Sequence, residues 1–278
     1  MELYNIVFSP TGTSAKVAEA IVSGIGNALW PKEPGVKLCD VTRWEDMTVC
    51  VERSDFAVIV APVYGGKMAP IAKERMKNIK GDVTPCIVIA VYGNRAFENA
   101  VSDMAAFAES LGFVPVAAGA FVGEHSYSTA ATPIAVGRPD GADWDAAFAF
   151  GREVGLRLAD GMLKAVDASK LHDEPSPEQS VANFKAFVKS YMESQQVAPV
   201  RILPEVNEDL CSDCRECVAV CPTAAINPEN HAADPGKCIK CCACVKICPA
   251  GARTLSSPFA PVLSENFSAY KTPQWIVG

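Results

Sequence analysis

The sequence predicts an α/β chain in two parts, a doubly wound, five-stranded parallel sheet with helices on both faces and then a small α+β domain built around cysteine. Two observations carry this reading. As far as Asp160, short apolar runs alternate with longer stretches of helical period, as in a parallel sheet covered on both sides. Beyond residue 205, one cysteine run is repeated at an offset of 27 residues, Cys211 to Cys238.

In chain order, residues 3–8, 36–41, 56–61, 86–92 and 114–122 form the apolar runs expected as strands. Between them Val17, Ala18, Ile21, Val22 and Ile25 recur at helical spacing, as do Met104, Ala105, Ala108 and Leu111, and residues 144–163 add a third helix. Five strands with these helices point to the flavodoxin-like doubly wound topology, assigned to residues 1–166. Residues 167–180 carry Asp173, Glu174, Pro175 and Pro177 among Ser and Lys and read as a solvated connector. Val181, Phe184, Phe187, Val188 and Tyr191 then fall at helical spacing, and this helix is expected to brace the two domains. Residues 167–204 are therefore linker and bracing helix, and 205–278 the cysteine domain with a C-terminal extension.

Composition narrows the partners. The 278 residues are 49% hydrophobic with a formal charge of -7 spread over both halves, which leaves no basic face for nucleic acid or an anionic membrane. No segment approaches a membrane span. Met1-Glu2-Leu3-Tyr4-Asn5 runs into a short apolar stretch without the basic flank of a signal peptide, so a cytoplasmic chain is expected. In that compartment, twelve cysteines read as thiolates for metal rather than as disulfides.

The run Cys211-x2-Cys214-x2-Cys217-x3-Cys221-Pro222 recurs as Cys238-x2-Cys241-x2-Cys244-x3-Cys248-Pro249. Val218 aligns with Val245, Val220 with Ile247 and Ala225 with Ala252, so the halves are expected to pack as pseudo-symmetric units. This is the spacing of bacterial-type 2[4Fe-4S] ferredoxins. Three thiolates two residues apart let a tight loop wrap one face of a cubane while backbone N–H groups point at the sulfurs. The fourth lies too far along the chain to close the same cluster and ligates the other. One [4Fe-4S] cluster is thus expected on Cys211, Cys214, Cys217 and Cys248, the second on Cys238, Cys241, Cys244 and Cys221. Zinc sites would instead show C-x2-C hooks separated by a longer loop. Cys242 falls outside the run and reads as a packing residue, while Cys39, Cys50 and Cys86 read as small buried hydrophobes.

Directly after the first strand, Ser9-Pro10-Thr11-Gly12-Thr13-Ser14 leads into a helix. Hydroxyls and N–H groups converging on a helix N-terminus make an anion site, and Gly12 permits close backbone approach. The lysine of Gly-x4-Gly-Lys-Thr loops and the dinucleotide pattern Gly-x-Gly-x-x-Gly are both missing, which favours FMN over a nucleoside triphosphate or a dinucleotide. Ser9-x-Thr11-Gly12-x-Ser14 resembles the FMN phosphate loop of flavodoxins, with serine last where threonine is common. Together with the cysteine runs, nearly the whole chain resembles the flavodoxin-ferredoxin fusions sometimes called the EFR1 family. That resemblance implies FMN held by three loops at the C-terminal edge of the sheet, in an electron-transfer protein of anaerobic type. The other two loops are Pro62, Val63, Tyr64, Gly65 and Gly66 after the third strand, and Tyr92, Gly93, Asn94 and Arg95 after the fourth. Tyr64 or Tyr92 is expected to stack on the isoalloxazine, with peptide groups of Gly65 and Gly93 at its polar edge.

After the fifth strand, His125 is either a proton donor for two-electron chemistry or a histidine hydrogen-bonded within a long loop. Glu124 and Asp140 read as solvent-facing. Clusters pass single electrons and a flavin one or two, so the expected function is an electron relay between two [4Fe-4S] clusters, FMN and ferredoxin-type redox partners. The alternative is an FMN-dependent oxidoreductase acting on a quinone, nitro compound or enoate, with His125, Tyr127 or Arg95 shaping the pocket. Residues 123–141 are then a substrate lid, or else a docking surface. A DNA-binding regulator is disfavoured by the acidic charge and the missing helix-turn-helix pattern. A homodimer is compatible with the sequence.

Overall fold

The computed structural model describes residues 1–43 and 47–278. Its contacts divide the chain into two compact units, the first comprising Met1–Glu124, Gly137–Glu174 and Tyr270–Gly278, the second His125–Val136 and Pro175–Ala269.

In the first unit the long strands of the main sheet are β1 (Glu2–Val7), β2 (Gly35–Asp40), β3 (Phe56–Tyr64), β4 (Thr84–Tyr92), β5 (Phe113–Val122) and β6 (Gln274–Val277). The first five run parallel in the order β2-β1-β3-β4-β5, the flavodoxin-like order. The central β3 and β4 are almost continuously apolar and buried, because a doubly wound sheet covers both faces. Edge strand β2 buries only Cys39 and exposes Val36 and Leu38. The parallel core is part of a larger, mixed sheet. β6 pairs antiparallel with the outer side of β5, Trp275 opposite Gly119, and Lys67–Met68 pairs antiparallel with the end of β3. Residues 270–278, grouped from sequence with the cysteine domain, thus fall in the first unit.

Helices α1 (Thr13–Leu29), α2 (Pro70–Met76), α3 (Ala100–Ser110) and α4 (Gly141–Ala159) complete it. Helix α4 begins three residues before the predicted 144 because Asp140 and Asp143 form a reciprocal capping box, each N–H donating to the other carboxylate at 3.0 Å. Asp140 is thus a cap as well as an exposed residue. Helices α1 and α4 meet closely, since a Cβ on Gly24 would strike the Phe148 carbonyl and one on Gly151 the Ile21 carbonyl. Beneath them Leu3, Ile21, Ile25, Phe56, Ile87, Phe121 and Phe150 form the core.

Two ties close the unit. Arg138, buried, donates through Nε to Asp143 at 2.7 Å and through Nη1 to the Lys271 carbonyl at 2.8 Å, with Tyr270 stacked 3.9 Å away. The Asp173 carboxylate accepts from the N–H groups of Phe97 (2.7 Å) and Glu98 (2.8 Å). The connector is therefore strapped down at Asp173 rather than merely solvated, because a carboxylate satisfies two backbone donors there.

The second unit contains α5 (Glu178–Val197), α6 (Glu216–Val220), α7 (Ala243–Lys246) and α8 (Phe259–Asn266). The aromatic face of α5 packs on α8, with Phe187 and Tyr191 edge-on to Phe259 at 5.1 and 4.9 Å. The cysteine repeat is visible in the backbone. Val206 pairs with Arg253 as Ala233 bridges Ile226, and left-handed φ recurs at Asp213 and Lys240, Arg215 and Cys242, and Ala224 and Gly251. Every one of these matches keeps the 27-residue offset. Among the described residues no helix is long and apolar enough to cross a membrane.

Candidate functional site

In the second unit, one cavity is lined by Cys211, Cys214, Cys217 and Cys248, together with Arg215, Glu216, His231 and Arg253. Another is lined by Cys221, Cys238, Cys241 and Cys244, with Pro204, Ile226, Ile239 and Cys242. Each cavity thus draws three thiols from one run and the fourth from the other. Among the described residues, no three His, Cys, Asp or Glu side chains stand close enough to hold a single ion directly.

The left-handed residues at 213 and 215, and at 240 and 242, coil each loop so that successive N–H groups turn inward. The Ala225 N–H donates to the Cys221 sulfur at 3.2 Å. Burial raises the Cys238 thiol and pushes Cys241 up to about 12, while the N–H groups of Lys240 and Ala243 pull the other way. Cys242 is buried, occupies the helix-cap position that Arg215 holds in the first half, and is pushed up to about 12 by burial. Cys39 and Cys86 are buried as expected, but Cys50 is exposed. The reason is that its strand, Val49–Val51, pairs with Ile79–Gly81 outside the main sheet and buries only Val51 fully.

Arg253 was not singled out from sequence. It is 3% exposed, donates through Nη1 to the His231 carbonyl at 2.7 Å, and lies 4.0 Å from the Cys217 sulfur. Its Nε and Nη2 have no protein partner. The available signal was the repeat itself, which places Arg253 where the first half has Ile226.

Residues 125–136 are packed into the second unit rather than hanging as a lid. Ile134 joins the core of Leu263 and Phe267, the Pro133 carbonyl accepts from Ser264 at 2.9 Å, and Lys246 Nζ donates to the Ser128 carbonyl at 2.9 Å. The Tyr127 N–H donates to His125 Nδ1 at 3.0 Å, a local loop bond. The Tyr127 phenol is pushed up to about 12 by burial, with Cys242 and Cys238 adding to the shift. Glu124, in the first unit, accepts from the Gly137 N–H at 2.9 Å and is half-buried rather than simply solvent-facing.

In the first unit, the three expected loops follow β1, β3 and β4, neighbours in the sheet, at their C-terminal ends. Ser9 is held by its N–H on Thr42 Oγ1 (2.8 Å), and its hydroxyl accepts from the Ala15 N–H (2.9 Å). Gly12 has φ 85° with open space where a Cβ would stand, and α1 begins there without a side-chain cap. Ser14 Oγ is buried with no protein partner. A helix start whose cap residue, Gly12, offers no side chain, beside an orphaned hydroxyl, fits an anion. Pro62, Val63 and Tyr64, expected in the loop, form the half-buried end of β3, and Gly65 (φ 59°) and Gly66 (φ 78°) then turn the chain. After β4, Gly93 and Asn94 (φ 67°) lead to Arg95, which pairs with Glu98 at 2.6 Å while its carbonyl accepts from Lys271 at 2.7 Å. Tyr92 is buried edge-on to Phe97 at 5.5 Å, and burial raises its phenol, so Tyr64 is the more exposed of the two rings.

Residues 203–249 match the family of 4Fe-4S dicluster domains. No curated protein is matched by the chain. Similar solved structures include a flavodoxin from the domain Archaea, at 12% identity over 57% of this chain and 99% of that one, with a TM-score of 0.36. The Streptococcus pneumonia TIGR4 flavodoxin is 18% identical over 56% of this chain and 99% of its own (TM-score 0.37). An FMN-dependent NADH-azoreductase from Bacillus anthracis str. Ames Ancestor, in complex with FMN, is 15% identical over 57% and 100% (TM-score 0.39). The fold rests on the strand order itself, and the iron-sulfur assignment on the matched segment. The chain joins a parallel sheet of flavodoxin-like order to a ferredoxin-type 4Fe-4S domain.

Proposed function

We propose that the chain is an electron-transfer iron-sulfur flavoprotein of the flavodoxin-ferredoxin (EFR1) type, relaying single electrons between two [4Fe-4S] clusters, FMN and ferredoxin-type partners. The observation that carries it is the pair of cavities, each lined by three cysteines of one run and the fourth of the other, with Cys242 beside the second set. Cys211, Cys214, Cys217 and Cys248 hold one cluster, and Cys238, Cys241, Cys244 and Cys221 the other. Ser9, Thr11, Gly12, Thr13 and Ser14 receive the FMN phosphate through the α1 N-terminus and the Ser14 hydroxyl. Residues 62–66 and 92–95 flank the ring, with Tyr64 as the stacking face. When bound, the clusters supply one-electron chemistry and the flavin one- or two-electron chemistry. His125 fixes its own loop through Tyr127 and has no catalytic part in this reading. A cytoplasmic location belongs to the same reading, because the thiolates need a reducing compartment.

The test is to present the anaerobically reconstituted, reduced chain with oxidised ferredoxin and, separately, with quinone, nitro and enoate acceptors. Fast transfer to the protein partner alone supports the relay. Rapid multiple turnover of one small acceptor makes the chain a reductase instead.

A further inference from the structure

The repeat places one residue at the same point of each cysteine cavity. In the first it is Arg253, in the second Ile226, and both sit in the short antiparallel pairings that the offset relates. Arg253 is buried, uses Nη1 on the His231 carbonyl, lies against Cys217, and leaves Nε and Nη2 without a protein partner. A buried guanidinium with idle donors is costly unless an anion completes it. The other charges of this cavity, Arg215 and Glu216, are exposed, and Arg215 stands 3.5 Å from Asp213 where water screens both. The second cavity is lined by no charged side chain.

Resting on the two-cluster reading above, we propose that Arg253 makes the cluster held by Cys211, Cys214, Cys217 and Cys248 the more easily reduced of the two. The reduced form carries one more negative charge than the oxidised form. A fixed, buried cation within reach of the buried Cys217 sulfur stabilises the reduced form more. Ile226 offers its own cavity neither charge nor donor. Arg253 also acts on Cys244, as a charge and a hydrogen-bond donor, so removing it lowers both centres, the first by more because Arg253 lines that cavity and not the other. The first electron into the module then rests at the Arg253 cavity, and the Ile226 cavity holds the stronger reductant.

The experiment is an anaerobic redox titration of the reconstituted full chain followed by EPR. Paramagnetic NMR of the cysteine β-protons assigns each midpoint to its thiol set. Two unequal one-electron midpoints are expected, the higher on the first set. In Arg253→Met, the reduced-to-oxidised ratio of that centre at fixed potential is expected to fall about tenfold, 59 mV for a one-electron couple. Arg253→Lys, which keeps the charge, retains most of the native midpoint. Equal midpoints in the unsubstituted chain, or the higher one on the Cys238 set, overturn the proposal without any variant. A midpoint unmoved in Arg253→Met does the same. A chain that takes up one cluster or zinc overturns the underlying reading as well, and metal content reveals this before any titration.

Discussion

Ser14 shows how a single side chain states its purpose. Its hydroxyl is buried at the start of α1 with no protein partner. A hydrogen bond to a charged group is worth about 1.5–3 kcal/mol. Ser14→Ala is therefore expected to weaken FMN binding about tenfold or more, read by flavin fluorescence as FMN is titrated into apoprotein. Asp143 is a structural counterpart. It is fully buried against Arg138, and Asp143→Ala leaves that guanidinium buried and unpaired, an expected loss of about 3–5 kcal/mol in urea denaturation. Tyr127 carries a pH signature. Its folded value of about 12 lies above the ordinary 10.0, so below pH 10 the phenol is neutral whether the chain is folded or not. As pH rises from 10 towards 12 the unfolded chain loses its proton first, and stability falls. Tyr127→Phe should remove that part of the alkaline slope in pH-dependent denaturation. At this scale the cysteines that line the two cavities were legible because their spacing repeats. Arg253 was not, since one cation among 25 has no spacing of its own. Nor was the burial of Tyr92, because a tyrosine at a strand end reads the same whether its ring turns inward or outward.

Among the elements, legibility followed length and burial. Strands β3 and β4 are continuous apolar runs and were found within three residues at either end, because a sheet covered on both faces admits few polar residues. β6 has four half-buried residues and no period long enough to read. Its contribution is nonetheless concrete. Trp275 stacks parallel to Phe121 at 6.1 Å and packs on Phe150 at 5.6 Å, joining the sheet edge to α4. Trp275→Ala is expected to destabilise the first unit by about 3 kcal/mol, measured as a lower urea midpoint. The start of α4 had a signal that went unread, the paired Asp140 and Asp143 of a capping box.

At the scale of the whole molecule, hydrophobic period divides a chain once, whereas contacts divide this one by four crossings, after Glu124, Val136, Glu174 and Ala269. Local patterning cannot see a segment that leaves a unit and returns, so residues 125–136 and 270–278 were placed by neighbourhood in sequence rather than by packing. The repeat, in contrast, survived from spacing through backbone dihedrals to the two cavities. On the proposed function, one chain holds two clusters and FMN that exchange electrons. The most direct measurement is an anaerobic titration of the reconstituted chain with sub-stoichiometric reductant, after iron and flavin analysis. About eight irons and one FMN per chain are expected, with electrons redistributing between cluster and flavin signals at a rate independent of protein concentration. Iron for one cluster or none, no bound flavin, or bound cofactors that never exchange electrons within the chain would contradict that function.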